Sequence, residues 1–167
     1  MAEEQVILVD ENDIATGTMG KMEAHEKALL HRAFSIFIFN SNNELLLQKR
    51  ALSKYHSAGL WTNTCCSHPR PDEKTEDAAN RRLMEEMGMK AKLEHKLSFI
   101  YKTPFDNGLT EHEFDHVFFG ITNAFPVINT EEVDSYRYIS IPDLKQEVKA
   151  HPELFTSWFK IVLEKVF

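Results

Sequence analysis

The segment Thr62-Asn63-Thr64-Cys65-Cys66-Ser67-His68-Pro69 sets both thiols of the chain beside an imidazole, and the run Lys74 to Gly88 that follows carries Arg81, Arg82, Glu85 and Glu86. Thiols, imidazoles and carboxylates exchange protons, and guanidinium groups take phosphate oxygens in pairs. This mixture suits acid-base chemistry on an anionic substrate better than it suits packing. Cationic neighbours can lower a thiol's pKa from its usual value of about 8.5, which leaves thiol and thiolate roles open for Cys66. Cys65 reads as a small buried residue. Further on, Glu111-His112-Glu113-Phe114-Asp115-His116-Val117 spaces Glu111 and Glu113 so that a strand would project both carboxylates to one face. Taken alone, that pattern describes a solvated strand edge more often than a site.

These groups need elements to hold them. Gln5 to Asp10 reads as a short strand and Ile14 to Gly20 as a turn-rich connection, since apolar runs bounded by Asn, Asp and Gly are strand and turn signals. Lys21 to His31 has helical or irregular character. Arg32 to Asn40 and Glu44 to Arg50 flank Ser41-Asn42-Asn43, a hairpin pattern, and a polar loop then runs through Trp61. Glu76 to Met87 is expected to be helical, with Thr75 as N-cap, Glu76 and Asp77 in the first turn, and Gly88 as terminator. Leu93 to Lys102, Glu113 to Thr122 and Tyr136 to Ser140 have strand-like content. Asp143 to Lys149 and Pro152 to Phe167 look helical, the second with Leu154, Trp158, Val162 and Val166 on one face. Strands and helices in this irregular order imply an α/β (α+β) fold with a mixed sheet.

Composition narrows the function classes. At 167 residues without an internal linker, one domain over 1–167 is the expectation. The net charge of −7 argues against broad nucleic-acid binding, so any anionic ligand must meet a local basic cluster. Apolar runs such as Phe34 to Phe39 fall far short of the ~20 residues that a membrane span requires. The acidic start Met1-Ala2-Glu3-Glu4 argues against export, and adjacent cysteines cannot build a disulfide framework. Cytoplasm is the expected location, with no membrane, nucleic-acid or obligatory protein partner.

Ser67-x5-Glu73-x7-Arg81-Arg82-Leu83-x-Glu85-Glu86-x-Gly88-Met89 resembles the Nudix box, Gly-x5-Glu-x7-Arg-Glu-U-x-Glu-Glu-x-Gly-U, where U is apolar. Spacing is kept throughout, but Ser67 replaces Gly and Arg82 replaces Glu. The second change matters physically, because positions 82, 85 and 86 share one helix face. A Nudix hydrolase gathers magnesium there with carboxylates. A guanidinium in that place removes a metal ligand and adds a phosphate binder, so the site would grip a diphosphate more readily than break it.

Together with Leu30-His31-Arg32-Ala33-Phe34-Ser35 and Arg50-Ala51-Leu52-Ser53-Lys54, the Thr62 to Pro69 segment makes the chain similar to the type I isopentenyl-diphosphate isomerases over about Val6 to Trp158. That resemblance implies a Nudix fold, a mixed sheet flanked by helices, and interconversion of isopentenyl and dimethylallyl diphosphate through a tertiary carbocation. It assigns proton transfer to Cys66 and Glu113, with Tyr101 hydrogen-bonded to Glu113, and a cation-stabilising aromatic face to Trp158. Trp61 is a further candidate for lining the pocket. The same resemblance makes His25, His31, His68, Glu111 and Glu113 ligands of Mn2+, Mg2+ or Zn2+. It gives diphosphate binding to Lys21, Arg50, Lys54 and Arg82, with Glu86 holding a bridging Mg2+. His112 and His116 keep the reading of surface or packed histidines. The alternatives are a Nudix pyrophosphohydrolase, disfavoured by Arg82 and the Cys66-Ser67-His68 segment, and a ligand-sensing Nudix domain without turnover, which would lack the acid-base pair.

Overall fold

Apolar residues fill almost every position of Ala33 to Phe39, the pattern of a strand buried on both faces. The computed structural model, which describes residues 4–54, 56–105 and 107–167, places this segment at the centre of a mixed sheet as β3, His31–Phe39. Phe34, Ile36 and Ile38 belong to one apolar cluster and Phe37 to the other. The first cluster takes Leu83 and Met87 from helix α2, Thr75–Met87. The second takes Trp158, Phe159 and Val162 from helix α4, Ser157–Val166.

One side of β3 pairs in parallel with β8, Thr110–Ile121, in a register that sets His31 opposite Glu113. β7, Glu94–Pro104, extends this side antiparallel to β8 and puts Tyr101 opposite Glu113. At its start β3 also meets β1, Gln5–Val9, through Leu8 and His31, and β1 pairs with β2, Ala15–Gly20. Helix α1, Lys21–Glu26, fills part of the connection back to β3.

The expected hairpin between β3 and β4, Glu44–Arg50, pairs only at Phe39 and Leu45 before its strands diverge. β4 instead pairs along its length with β9, Val133–Ser140, and briefly with β5, Trp61–Thr62. β6, Cys65–Ser67, pairs with Phe34 to Ile36. Between β5 and β6 the side chains complete the backbone accounting of the opened hairpin. Thr64 Oγ1 accepts from the Ile38 N–H at 3.0 Å and donates to the Leu46 carbonyl at 2.6 Å, while Asn63 Nδ2 donates to the Ile36 carbonyl at 3.0 Å. Both residues are fully buried, where unpaired backbone groups are costly.

Three local expectations change. Ile14 to Gly20 is mostly strand rather than turn, because the ladder from Gln5/Gly20 to Val9/Ala15 holds an exposed edge that side-chain burial could not mark. Thr75 is the first helical residue and Lys74 the N-cap; no side-chain capping bond forms there, and Glu76 and Asp77 supply the favourable first-turn charge. The stretch from Pro152 divides into a 3-10 turn, Pro152–Leu154, and α4, because the Thr156 hydroxyl accepts from the Phe159 N–H and starts a new helix. Leu154 is therefore 47% exposed and off the buried face. Helix α3, Ile141–Ala150, covers the expected Asp143 to Lys149 segment with Ser140 as its N-cap.

Gly88 ends α2 in the left-handed conformation, φ 61°, and donates to the Met84 carbonyl at 3.0 Å. The N–H groups of Val127 and Asn129 cap the Met87 and Glu86 carbonyls at 2.8 and 2.9 Å, so the Val127 backbone lies directly over Gly88. A Cβ at position 88 would overlap the Val127 carbonyl. Gly88→Ala is expected to destabilise the fold by about 1–3 kcal/mol, read as a fall in Tm; an unchanged melting curve would contradict this packing.

Candidate active site and metal centre

His25 in the last turn of α1, His31 at the start of β3, His68 just after β6, and Glu111 and Glu113 on β8 converge from four parts of the chain. One ligand atom from each lies within 4.8 Å of the others, and all five residues are buried. Glu111 Oε1 is 3.1 Å from His25 Nε2, and Glu113 Oε2 is 3.2 Å from His31 Nε2 and 2.7 Å from His68 Nε2.

The outer ring nitrogens decide what this cluster can hold. His25 Nδ1 lies 2.6 Å from the Lys21 carbonyl and His31 Nδ1 lies 2.9 Å from the Leu29 carbonyl. A carbonyl only accepts, so each Nδ1 carries a proton and each Nε2 faces the cluster. Nitrogen lone pairs and carboxylate oxygens cannot satisfy one another without positive charge between them. A proton on the imidazole or a divalent cation supplies it. Burial opposes protonation of His25 and His31, yet bonds from Glu111 and Glu113 raise both pKa values above normal. Burial and the nearby His31 press His68 well below normal. Three imidazole nitrogens with two carboxylates thus fit a divalent metal ion.

Glu113 also accepts a hydrogen bond from the Tyr101 hydroxyl on β7. Burial alone would raise its pKa, but the bonds from His31 and Tyr101 help hold it at about 2. Tyr101 is pushed well above the usual range by burial and by Glu113, so it stays a phenol. Cys66 contrasts with both. Burial first, and then Asp115, push its thiol up to about 12, so the lowered value open to it in the sequence does not occur. Its Sγ donates to Asn63 Oδ1 at 2.9 Å and lies 3.7 Å from Ser35 Oγ. Strand alternation sends Cys65 to the α2 side instead, where its Sγ donates to Glu86 Oε2 at 2.8 Å.

Cys66, Glu113, Tyr101, Glu111 and His68 line one cleft together with Lys21, Arg50, Lys54, Arg82, Glu86 and Trp158. Its lining is dominated by charged and polar side chains, with the Trp158 ring as an apolar wall. A thiol that carries its proton and a carboxylate without one thus share a cavity with a basic cluster. Arg50 lies 5.0 Å from the Trp158 ring centroid. Lys21 sits 3.7 Å from Glu4, and Arg82 is bonded to Glu132 and 3.6 Å from Glu86. Although burial opposes it, Glu86 and Glu132 raise the Arg82 pKa further.

Trp61 is not among the cleft-lining residues. Its ring lies under Arg137 at 4.7 Å, while its carbonyl accepts from the Thr156 N–H at 3.0 Å ahead of α4. His112 bonds the Ala28 carbonyl and His116 pairs with Asp13, both away from the cluster. Sequence reasoning missed His56, Glu4 and Glu132, which also line the cleft. His56 stacks on Phe105 at 4.6 Å and meets Trp158 edge-on at 5.5 Å, and burial together with Arg50 lowers its pKa to about 3. Its closeness to Lys54 in sequence was the one available signal.

Residues 29–159 match the NUDIX domain family. The chain is 52% identical over 164 residues to isopentenyl-diphosphate Delta-isomerase 2 of Aromatoleum aromaticum, covering 98% of this chain and 87% of that protein. It is 53% identical over 162 residues to isopentenyl-diphosphate Delta-isomerase of Pectobacterium atrosepticum, covering 97% and 90%. Among solved structures, DR0079 from Deinococcus radiodurans superposes with a TM-score of 0.82 at 19% identity, covering 98% of this chain and 99% of that one. That likeness concerns the fold.

A divalent cation at about 100 times its Kd should stabilise the chain by about 2.7 kcal/mol, seen as a rise in Tm. His31→Ala should weaken metal binding by at least about tenfold and so lose about half of that rise or more at the same metal concentration. Equal metal-induced shifts in both proteins would contradict the assignment.

Proposed function

The chain belongs to the Nudix family and, within it, to the isopentenyl-diphosphate Delta-isomerases, and from that premise we propose that it interconverts isopentenyl and dimethylallyl diphosphate to supply isoprenoid synthesis. The observation that carries the reading is the shared cleft of Cys66 and Glu113, with a cluster of cations at hand for the diphosphate.

An unactivated alkene is a weak base, so moving its double bond needs a proton donor and a proton acceptor held against it with water excluded. A proton added to the terminal carbon forms a tertiary carbocation; loss of a proton from the carbon on the other side places the double bond one position along. Cys66 and Glu113 give and take these protons and exchange roles in the reverse reaction. Tyr101 orients the Glu113 carboxylate by donating to it. Trp158 presents an aromatic ring to the cation, which stabilises charge without offering a nucleophile. Lys21, Arg50, Lys54 and Arg82 hold the diphosphate, where Arg82 replaces a metal-binding carboxylate of the hydrolases. His25, His31, His68, Glu111 and Glu113 would hold Mn2+, Mg2+ or Zn2+ and Glu86 would hold Mg2+, the cations offsetting the buried carboxylate and diphosphate charge.

The whole chain acts as one Nudix-type domain on a small diphosphate, with no nucleic-acid, membrane or obligatory protein partner. Free Cys65 and Cys66 fit a reducing compartment such as the cytoplasm.

Proton NMR of isopentenyl diphosphate with the protein in deuterated buffer should show dimethylallyl diphosphate, solvent deuterium in both isomers, and no released phosphate. Phosphate release without isomerisation would point to a pyrophosphohydrolase. Cys66→Ala should lower turnover by at least about 1,000-fold while pyrophosphate affinity stays within about twofold, because loss of a proton-transfer group leaves ground-state anion binding intact. Near-normal turnover would remove Cys66 from the chemistry.

A further inference from the structure

Three of the cleft cations, Lys21, Lys54 and Arg82, lie within 4.0 Å of a carboxylate, and Glu132 touches two of them. Its Oε2 is bonded to Arg82 Nη2 and lies 4.0 Å from Lys54 Nζ, so a single acid oxygen sits between two of the groups that would receive a phosphate oxygen. We propose that Glu132 is a competing anion: its carboxylate takes the Arg82 and Lys54 cations that the diphosphate would use, and it must swing out for substrate to bind.

The surrounding geometry separates this carboxylate from its neighbour Glu86. The Glu86 side chain is only 6% exposed and is held by the Cys65 thiol, whereas that of Glu132 is 26% exposed and can turn toward solvent. The Glu132 backbone is fixed on both sides, its N–H donating to the Asn129 carbonyl at 3.0 Å and its carbonyl accepting from the Ala51 N–H at 3.0 Å. Ala51 in turn accepts from the Lys54 N–H at 3.2 Å. One anchored turn therefore holds both the Lys54 cation and the carboxylate that covers it, and substrate entry requires side-chain rotation rather than rearrangement of the sheet. In this position the carboxylate spares Arg82 and Lys54 from facing each other as bare like charges in a partly buried cleft.

The proposal rests on the reading of the cleft as a diphosphate site, and it predicts a sign opposite to that of an ordinary supporting role. A residue that merely positions Arg82 weakens binding when it is neutralised. A competing anion strengthens binding, because the apparent affinity recovers the fraction of chains whose site was covered. Glu132→Gln should tighten pyrophosphate binding by calorimetry, and lower KM for isopentenyl diphosphate, by about two- to fivefold, the size expected for one partly exposed ion pair. Glu131→Gln removes the same charge from an exposed neighbour and should change neither value by more than about 1.5-fold. Weaker or unchanged binding in Glu132→Gln, or equal tightening in Glu131→Gln, would overturn the proposal. Absence of isomerase turnover in the wild-type chain would instead strike the functional reading, and the pyrophosphate titration would still decide the role of Glu132.

Discussion

Glu113 carries a negative charge while almost wholly buried, and much of the architecture around the site compensates that charge. The parallel register of β3 and β8 brings His31 opposite it, the antiparallel register of β7 brings Tyr101, and the segment after β6 brings His68. An isolated ionised carboxylate in such a place would take up a proton instead, since burial disfavours the charged form. Bonds from His31 on β3 and Tyr101 on β7 help keep it ionised. Slipping either register by one residue would turn Glu113 toward the opposite face, dismantling the histidine-carboxylate cluster and taking Glu113 out of the cleft it shares with Cys66.

The second constraint is the opening between β3 and β4. A hairpin that paired along its full length would leave no room for the cysteine segment. Because the strands separate after Phe39 and Leu45, Thr62 to Ser67 enters between them, and the buried Asn63 and Thr64 pair with the exposed backbone groups. The same Asn63 receives the Cys66 thiol, so the residue that closes the opening also sets the orientation of the sulfur. Cys65, one position away, turns to the other face and fixes Glu86. Adjacent thiols thus face two places, one sulfur on Asn63 in the cleft and the other on the Glu86 carboxylate.

Local grammar explains what could be read from the sequence. Gly88 required a left-handed terminator, Glu111 and Glu113 required one strand face, and the aromatic and β-branched runs required strands; all are contiguous signals. Nudix spacing around Arg82, Glu85 and Glu86 lies on one helix and was equally legible. Pairings distant along the chain left no such trace. Glu132 lies 50 residues from Arg82, and the edge strand Ala15–Gly20 is specified by its ladder with β1 rather than by its own side chains. His56 joins the cleft through stacking on Phe105 and Trp158, contacts that no periodicity announces. The raised thiol pKa of Cys66 depends on burial and on Asp115, which the sequence places far away.

The central claim is that one hydrocarbon tail lies between Cys66 and Glu113 while its head rests on the basic cluster. A crystal structure with isopentyl diphosphate, a saturated and therefore unreactive analogue, addresses it most directly. The account predicts the branched carbon chain in van der Waals contact with Cys66 Sγ and the Glu113 carboxylate on opposite sides, beneath Trp158, and phosphate oxygens on Arg50, Lys54 and Arg82. A tail directed away from either reacting group, or a diphosphate seated elsewhere on the chain, would contradict it.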